Sequence, residues 1–95
     1  MEKTIESYLR RRVRDAGGLA LKFICPGWTG VPDRIILMPG GRVYFAETKD
    51  TGKKPKPRQK YVHGRLRELG FSVFVPDSKE AVDDMVITIT GGTKA

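Results

Sequence analysis

Residues 30–50 read GVPDRIILMPGGRVYFAETKD. Two runs rich in β-branched and aromatic residues, RIILM and RVYFA, flank Pro39, Gly40 and Gly41, a pattern that predicts an antiparallel hairpin. Charged residues stand where a core should begin: Asp33 opens the first strand, and Glu47 and Lys49 close the second. Side chains alternate across a strand, so Glu47 and Lys49 share a face with Val43 and Phe45, whose apolar character predicts that this face is covered. A partly buried carboxylate and ammonium are costly unless compensated. A divalent metal ion and a phosphate would compensate them.

Outward from the hairpin, the 95 residues bound the problem to one domain, expected over residues 1–90, with a frayed tail over residues 91–95. Lysine and arginine number 18 against 11 acidic residues, giving a net charge of +7, which suits a polyanionic partner. Charge alone does not separate DNA from RNA or a membrane surface. The lone Cys25 excludes an internal disulfide and points to a reducing cytoplasm; with no second cysteine or histidine at ligand spacing, a zinc site is not expected. No stretch approaches bilayer length, and the first residues lack an apolar signal region, so membrane insertion and secretion are not expected.

The residues from Glu2 to Ala16 predict a helix, because Ile5, Leu9, Val13 and Ala16 recur at three- and four-residue spacing and Gly17-Gly18 supplies a stop. Glu2 lies near the middle of that apolar stripe and Glu6 at its edge. Both are ordinary first-turn acids, and either could point under the sheet toward the carboxylates of the hairpin. Arg10, Arg11, Arg12 and Arg14 form a basic face opposite. Leu19 to Ile24 predicts a strand, followed by a Gly- and Pro-rich loop that carries Trp28; this indole is either a lid over a small core or a stacking surface for a base or sugar.

Beyond the hairpin, residues 50–60 read DTGKKPKPRQK, the most basic stretch of the chain, with prolines that hold it extended. Lys53, Lys54, Lys56, Arg58 and Lys60, with Arg34 and Trp28, make the candidate nucleic-acid surface; backbone contacts of this kind give affinity without sequence information. Arg58 to Leu69 predicts a second helix ended by Gly70, with His63 solvated on it. Phe71 to Val75 predicts a strand. Asp77 and Glu80 resemble a capping box for a short helix ending near Met85, and Val86 to Thr90 alternates like a strand that would pack within the domain or across a dimer interface.

Pro32-Asp33, thirteen residues, then Glu47-Thr48-Lys49 resembles the PD-(D/E)XK nuclease signature. With GGLALKF before it and Gln59 after it, the chain from about Glu2 to Met85 looks like the small stand-alone VRR-NUC proteins of phages and bacteria. The resemblance implies an α/β, restriction-endonuclease-like αβββαβ core, a mixed central sheet flanked by helices. It implies Asp33, Glu47, Lys49 and Gln59 as catalytic residues, with Gln59 facing the site from the start of its helix. It implies a metal shell of Asp33 and Glu47 around Mg²⁺ or Mn²⁺, with the Thr48 carbonyl and a helical glutamate completing it. Glu2 is preferred over Glu6, from its angle and because family members carry a glutamate three residues before the first apolar helix position. Thr48 departs from the apolar residue that the family often carries there, and its side chain is expected to face away from the site. The family further implies a homodimer that cuts branched DNA such as four-way junctions. The competing readings are a less selective nuclease (flap, nicking or exonuclease) on the same site, and a non-catalytic basic DNA-binding module.

Overall fold

In the computed structural model, which describes residues 2–91, the hairpin forms as β2 (Arg34–Met38) and β3 (Arg42–Ala46), antiparallel and in register from Arg34 opposite Ala46 to Met38 opposite Arg42. On one side, β1 (Leu19–Lys22) pairs antiparallel with β2; on the other, the short β4 (Val73–Phe74) pairs parallel with β3. The sheet is therefore mixed, in the order β1-β2-β3-β4. The three helices are α1 (Glu2–Asp15), α2 (Pro57–Glu68), which crosses over from β3 to the parallel β4, and α3 (Lys79–Ile89). Of the tail expected over residues 91–95, residues 92–95 lie outside the described residues. No helix among the described residues is long and apolar enough to cross a membrane.

Alternation along the strands builds two faces. Ile36, Met38 and Ala46 pack against Ile5, Leu9 and Val13 of α1 and against Val82, Met85, Val86 and Ile89 of α3, and these residues make the main core. Phe45 points the other way, tilted against Phe23 and edge-on to Phe71. Leu9 is fully enclosed. Leu9→Ala is expected to cost about 3–4 kcal/mol, read as a lowered urea midpoint at unchanged m-value, because rigid elements surround the cavity it leaves.

Both glycine stops form as expected. Gly17 adopts φ +91°, and the Gly18 N–H reaches back to the Val13 carbonyl at 3.0 Å. A side chain at Gly18 would meet Met38 Sδ at 2.4 Å and the Leu37 carbonyl at 2.6 Å, so this turn lies directly on β2. Gly70 ends α2 in the same way, with the Phe71 N–H on the Leu66 carbonyl at 3.0 Å.

Three local expectations are corrected. Residues 86–90 are not a strand: α3 continues to Ile89, because helical spacing buries Val82, Met85, Val86 and Ile89 together, whereas strand alternation would split them between faces. Its cap is Ser78, whose hydroxyl accepts from the Ala81 N–H at 3.0 Å; Asp77 instead accepts from the Gly52 N–H at 3.1 Å and ties the basic loop down. His63 is not solvated. Only 1% exposed, it sits on the inner face of α2 with Nε2 unpartnered.

Burial, then the charges of Arg67 and Lys49, push the His63 imidazole below its ordinary pKa of 6.5. Between the two values the unfolded chain binds more protons than the folded one. The stability this residue supports is thus complete above about pH 6.5 and falls as the pH drops below it. His63→Leu is expected to flatten that part of the stability–pH curve, measured by urea unfolding from pH 7.5 down to about 5.5. An unchanged slope would assign the dependence to other groups.

Candidate active site

The backbone ladder carries the Glu47-Thr48-Lys49 segment past the end of β3. Glu47 N–H bonds the Phe74 carbonyl at 2.9 Å and Lys49 N–H the Pro76 carbonyl at 3.1 Å, so the chain after β4 fixes both residues. From the β1 side, the Phe23 N–H bonds the Asp33 carbonyl at 2.8 Å, and across the hairpin the Asp33 N–H donates to Glu47 Oε1 at 3.1 Å. The two acids therefore stand side by side at the open end of the central strands.

Two helices begin at this place. The Glu2 N–H at the start of α1 donates to the Asp50 carboxylate, which anchors that helix end beside Lys49. Carboxylate oxygens of Glu2, Asp33 and Glu47 all lie within 4.8 Å of one another. Glu6, the alternative helical acid, is instead paired with Arg34. From α2, Gln59 accepts the Lys56 N–H at 2.9 Å through Oε1 and donates Nε2 to Glu47 Oε2 at 3.4 Å, so one side chain caps the helix and touches the carboxylate. Lys49 Nζ is 3.5 Å from the same Glu47 oxygen, with both side chains largely covered.

The electrostatics are those of a site short of positive charge. Asp33 is raised above its ordinary value, first by burial and then by the Glu6 charge; Glu47 is raised by burial and then by Asp33, against the opposing pull of Lys49. Asp33 Oδ1 is buried with no hydrogen-bond partner. Three clustered carboxylates, one with an orphaned buried oxygen, suit a hard divalent cation such as Mg²⁺ or Mn²⁺.

Two expectations about side chains are corrected here. Arg34 is 8% exposed, pairs with Glu6 and donates to the Ala20 carbonyl at 3.4 Å, so it is not available to a nucleic acid. The Thr48 side chain does not face away: its hydroxyl donates to Asp33 Oδ2 at 3.3 Å and orients that carboxylate. Lys53, Lys54, Lys56, Arg58 and Lys60 are all exposed, and among the described residues none is paired with a carboxylate. Trp28 is exposed, with the Arg58 guanidinium 5.2 Å from its ring centre. Sequence reasoning missed Asp50 as the anchor of α1; an acid directly after the E-x-K segment was the available signal.

Comparison with known proteins places this geometry. No family model matches the sequence. The chain is 47% identical over 79 residues to "Putative nuclease p44" of Acyrthosiphon pisum secondary endosymbiont phage 1, covering 83% of this chain and 85% of that protein. A solved structure described as "VRR_NUC domain" superposes with a TM-score of 0.86 at 36% identity, over 90% of this chain and 92% of the other. The mixed sheet flanked by helices, the likeness to that solved domain and the phage relative together mean that this chain belongs to the VRR-NUC family of nuclease domains.

Proposed function

We propose that the chain is a metal-dependent, structure-selective endonuclease that hydrolyses phosphodiester bonds in branched DNA such as four-way junctions, acting as a homodimer. The observation that carries the nuclease reading is the Glu2–Asp33–Glu47 carboxylate cluster, with Lys49 on Glu47 and the orphaned Asp33 Oδ1 turned inward. A purely structural Glu47–Lys49 pair would leave the convergence of Glu2 and Asp33 on Glu47, and the unpartnered Asp33 Oδ1, unexplained.

Glu2, Asp33, Glu47 and the Thr48 carbonyl would hold one or two Mg²⁺ or Mn²⁺ ions. When bound, such an ion supplies charge to the phosphoryl oxygens and makes water a better nucleophile. The chain's own residues do the rest. Lys49 orients the attacking water and stabilises the negative charge that builds as the P–O bond breaks; Gln59, held by the Lys56 N–H, positions water or the scissile phosphate. Lys53, Lys54, Lys56, Arg58 and Lys60 track the backbone on the adjoining loop and helix.

The dimer rests on one further feature, and junction selectivity follows from the dimer. Leu19 and Leu21 are exposed on the edge strand β1, in register with Leu37 and Ile35, and offer an apolar face to a second copy. Two copies place two sites for paired cuts. Working in a bacterial host cytoplasm fits the free Cys25 and the phage relative. The test is incubation of the protein with labelled four-way junction and matched linear duplex, in Mg²⁺, Mn²⁺ or chelator. Paired, metal-dependent cuts confined to the junction support the full reading. Equal cutting of both substrates retains the nuclease and removes the selectivity, and tight binding without cutting in either metal favours a binding module.

A further inference from the structure

Next to Gln59 along the chain lies a second constellation, made of Trp28, Arg58 and Tyr61. The Arg58 guanidinium lies 5.2 Å from the Trp28 ring centre and 5.3 Å from that of Tyr61, bridging the loop before β2 and the first turn of α2. Its Nε donates to the Thr29 carbonyl at 3.1 Å. Gly30, at φ +88°, brings the loop so close that a Cβ there would meet Arg58 Cγ at 2.8 Å and its carbonyl oxygen at 2.9 Å. The brace is therefore held by packing and by a hydrogen bond as well as by the cation–π contacts.

A contact that served only to tether the loop would close over its aromatic rings. Here Trp28 remains 46% exposed and Tyr61 54% exposed, on a strongly basic chain, flanked by Lys56 and Lys60. The two elements that carry these residues also carry site residues, since Asp33 follows the loop and Gln59 follows Arg58. Exposed aromatic rings, each carrying a guanidinium on one side and set among basic residues, are what an extruded base stacks on.

We propose that Trp28 and Tyr61, braced by Arg58, form a stacking platform for an unpaired nucleobase next to the scissile phosphate. A base within continuous duplex has both faces covered by its neighbours, so the platform is filled only at an end, an overhang, a flap or a branch point. The proposal rests on the nuclease reading for its neighbourhood and supplies a physical basis for favouring DNA that carries unpaired bases over continuous duplex. Ionic contacts to the backbone alone would not make that distinction.

Trp28 is the only tryptophan in the chain, so its fluorescence reports on the platform without labelling. The protein, in chelator, is titrated with a duplex bearing a single-stranded overhang and with a closed dumbbell duplex of the same length, while anisotropy of the labelled DNA follows binding independently. The expected result is quenching by the overhang probe that saturates with binding, and little quenching by the dumbbell. Tyr61→Ala is expected to lower the overhang-to-dumbbell affinity ratio about tenfold and Tyr61→Phe to restore it, since stacking needs the ring and not the hydroxyl. Equal quenching by both probes, or binding of the overhang probe without quenching, overturns the proposal. Cleavage of branched DNA without overhang-specific quenching would leave the nuclease standing and remove the platform. Overhang-specific quenching with no cleavage in Mg²⁺ or Mn²⁺ would do the reverse.

Discussion

Lys49→Ala is expected to slow cleavage of DNA by roughly 10²–10⁴-fold while changing affinity for the same DNA by less than about tenfold. The ammonium lies 3.5 Å from Glu47 and is largely covered, so it serves one place in the site and contributes little to the wider field that draws in the backbone. Removing it also strips Glu47 of its cation, and some loss of stability is expected. Lys49→Met, which keeps the stem, separates packing from charge: both variants should lose the rate, while Met keeps more of the stability. The contrast is Lys53→Ala. That residue is exposed in the loop after β3, so its loss should weaken binding across sequences and reduce the salt slope by about one, with the single-turnover rate at saturation unchanged. A Lys49→Ala protein that cuts at the original rate would remove Lys49 from the chemistry.

Much of this arrangement was legible because its signals are local. Strand alternation set Glu47 and Lys49 on one face, and the glycines after Ala16 and Leu69 set where helices stop, since both rest on backbone geometry spanning a few residues. The hairpin then brought Asp33 opposite Glu47 by register alone. What could not be read was decided by distant partners. Residues 86–90 favour a strand by propensity, and only the apolar surface of α1 and the sheet turns them into a helix that buries Ile89. His63 looks polar and solvated until α2 is laid against the sheet. Arg34 reads as a free cation beside a phosphate site until α1 arrives with Glu6. Glu2 joins the cluster of hairpin carboxylates for the same kind of reason: Arg34 takes Glu6, and Asp50 anchors the helix end at Glu2.

Asp33→Asn is expected to abolish cleavage and, without metal, to make the protein more stable. Burial and the nearby Glu6 charge raise the Asp33 carboxyl above 3.8, so the folded chain holds its proton more tightly than the unfolded chain does. The sign follows: the associated stability is complete below about pH 3.8 and is lost as the pH rises through the folded-state value, leaving a strained anion at neutral pH. A neutral amide removes that strain, so the melting temperature of the variant in chelator should lie above that of the wild-type protein. Metal reverses the order. At a free Mn²⁺ concentration a hundred times its Kd, linkage stabilises the wild-type protein by roughly 2.7 kcal/mol, about 10–20 °C, while the variant, lacking a ligand, gains far less. Thermal melts of both proteins in chelator and in Mn²⁺ at pH 7 should therefore cross. Mn²⁺ that raised both melting temperatures equally would place the ion elsewhere on the protein, and a variant less stable than wild type in chelator would show that the Asp33 charge is already compensated by Thr48 and its surroundings.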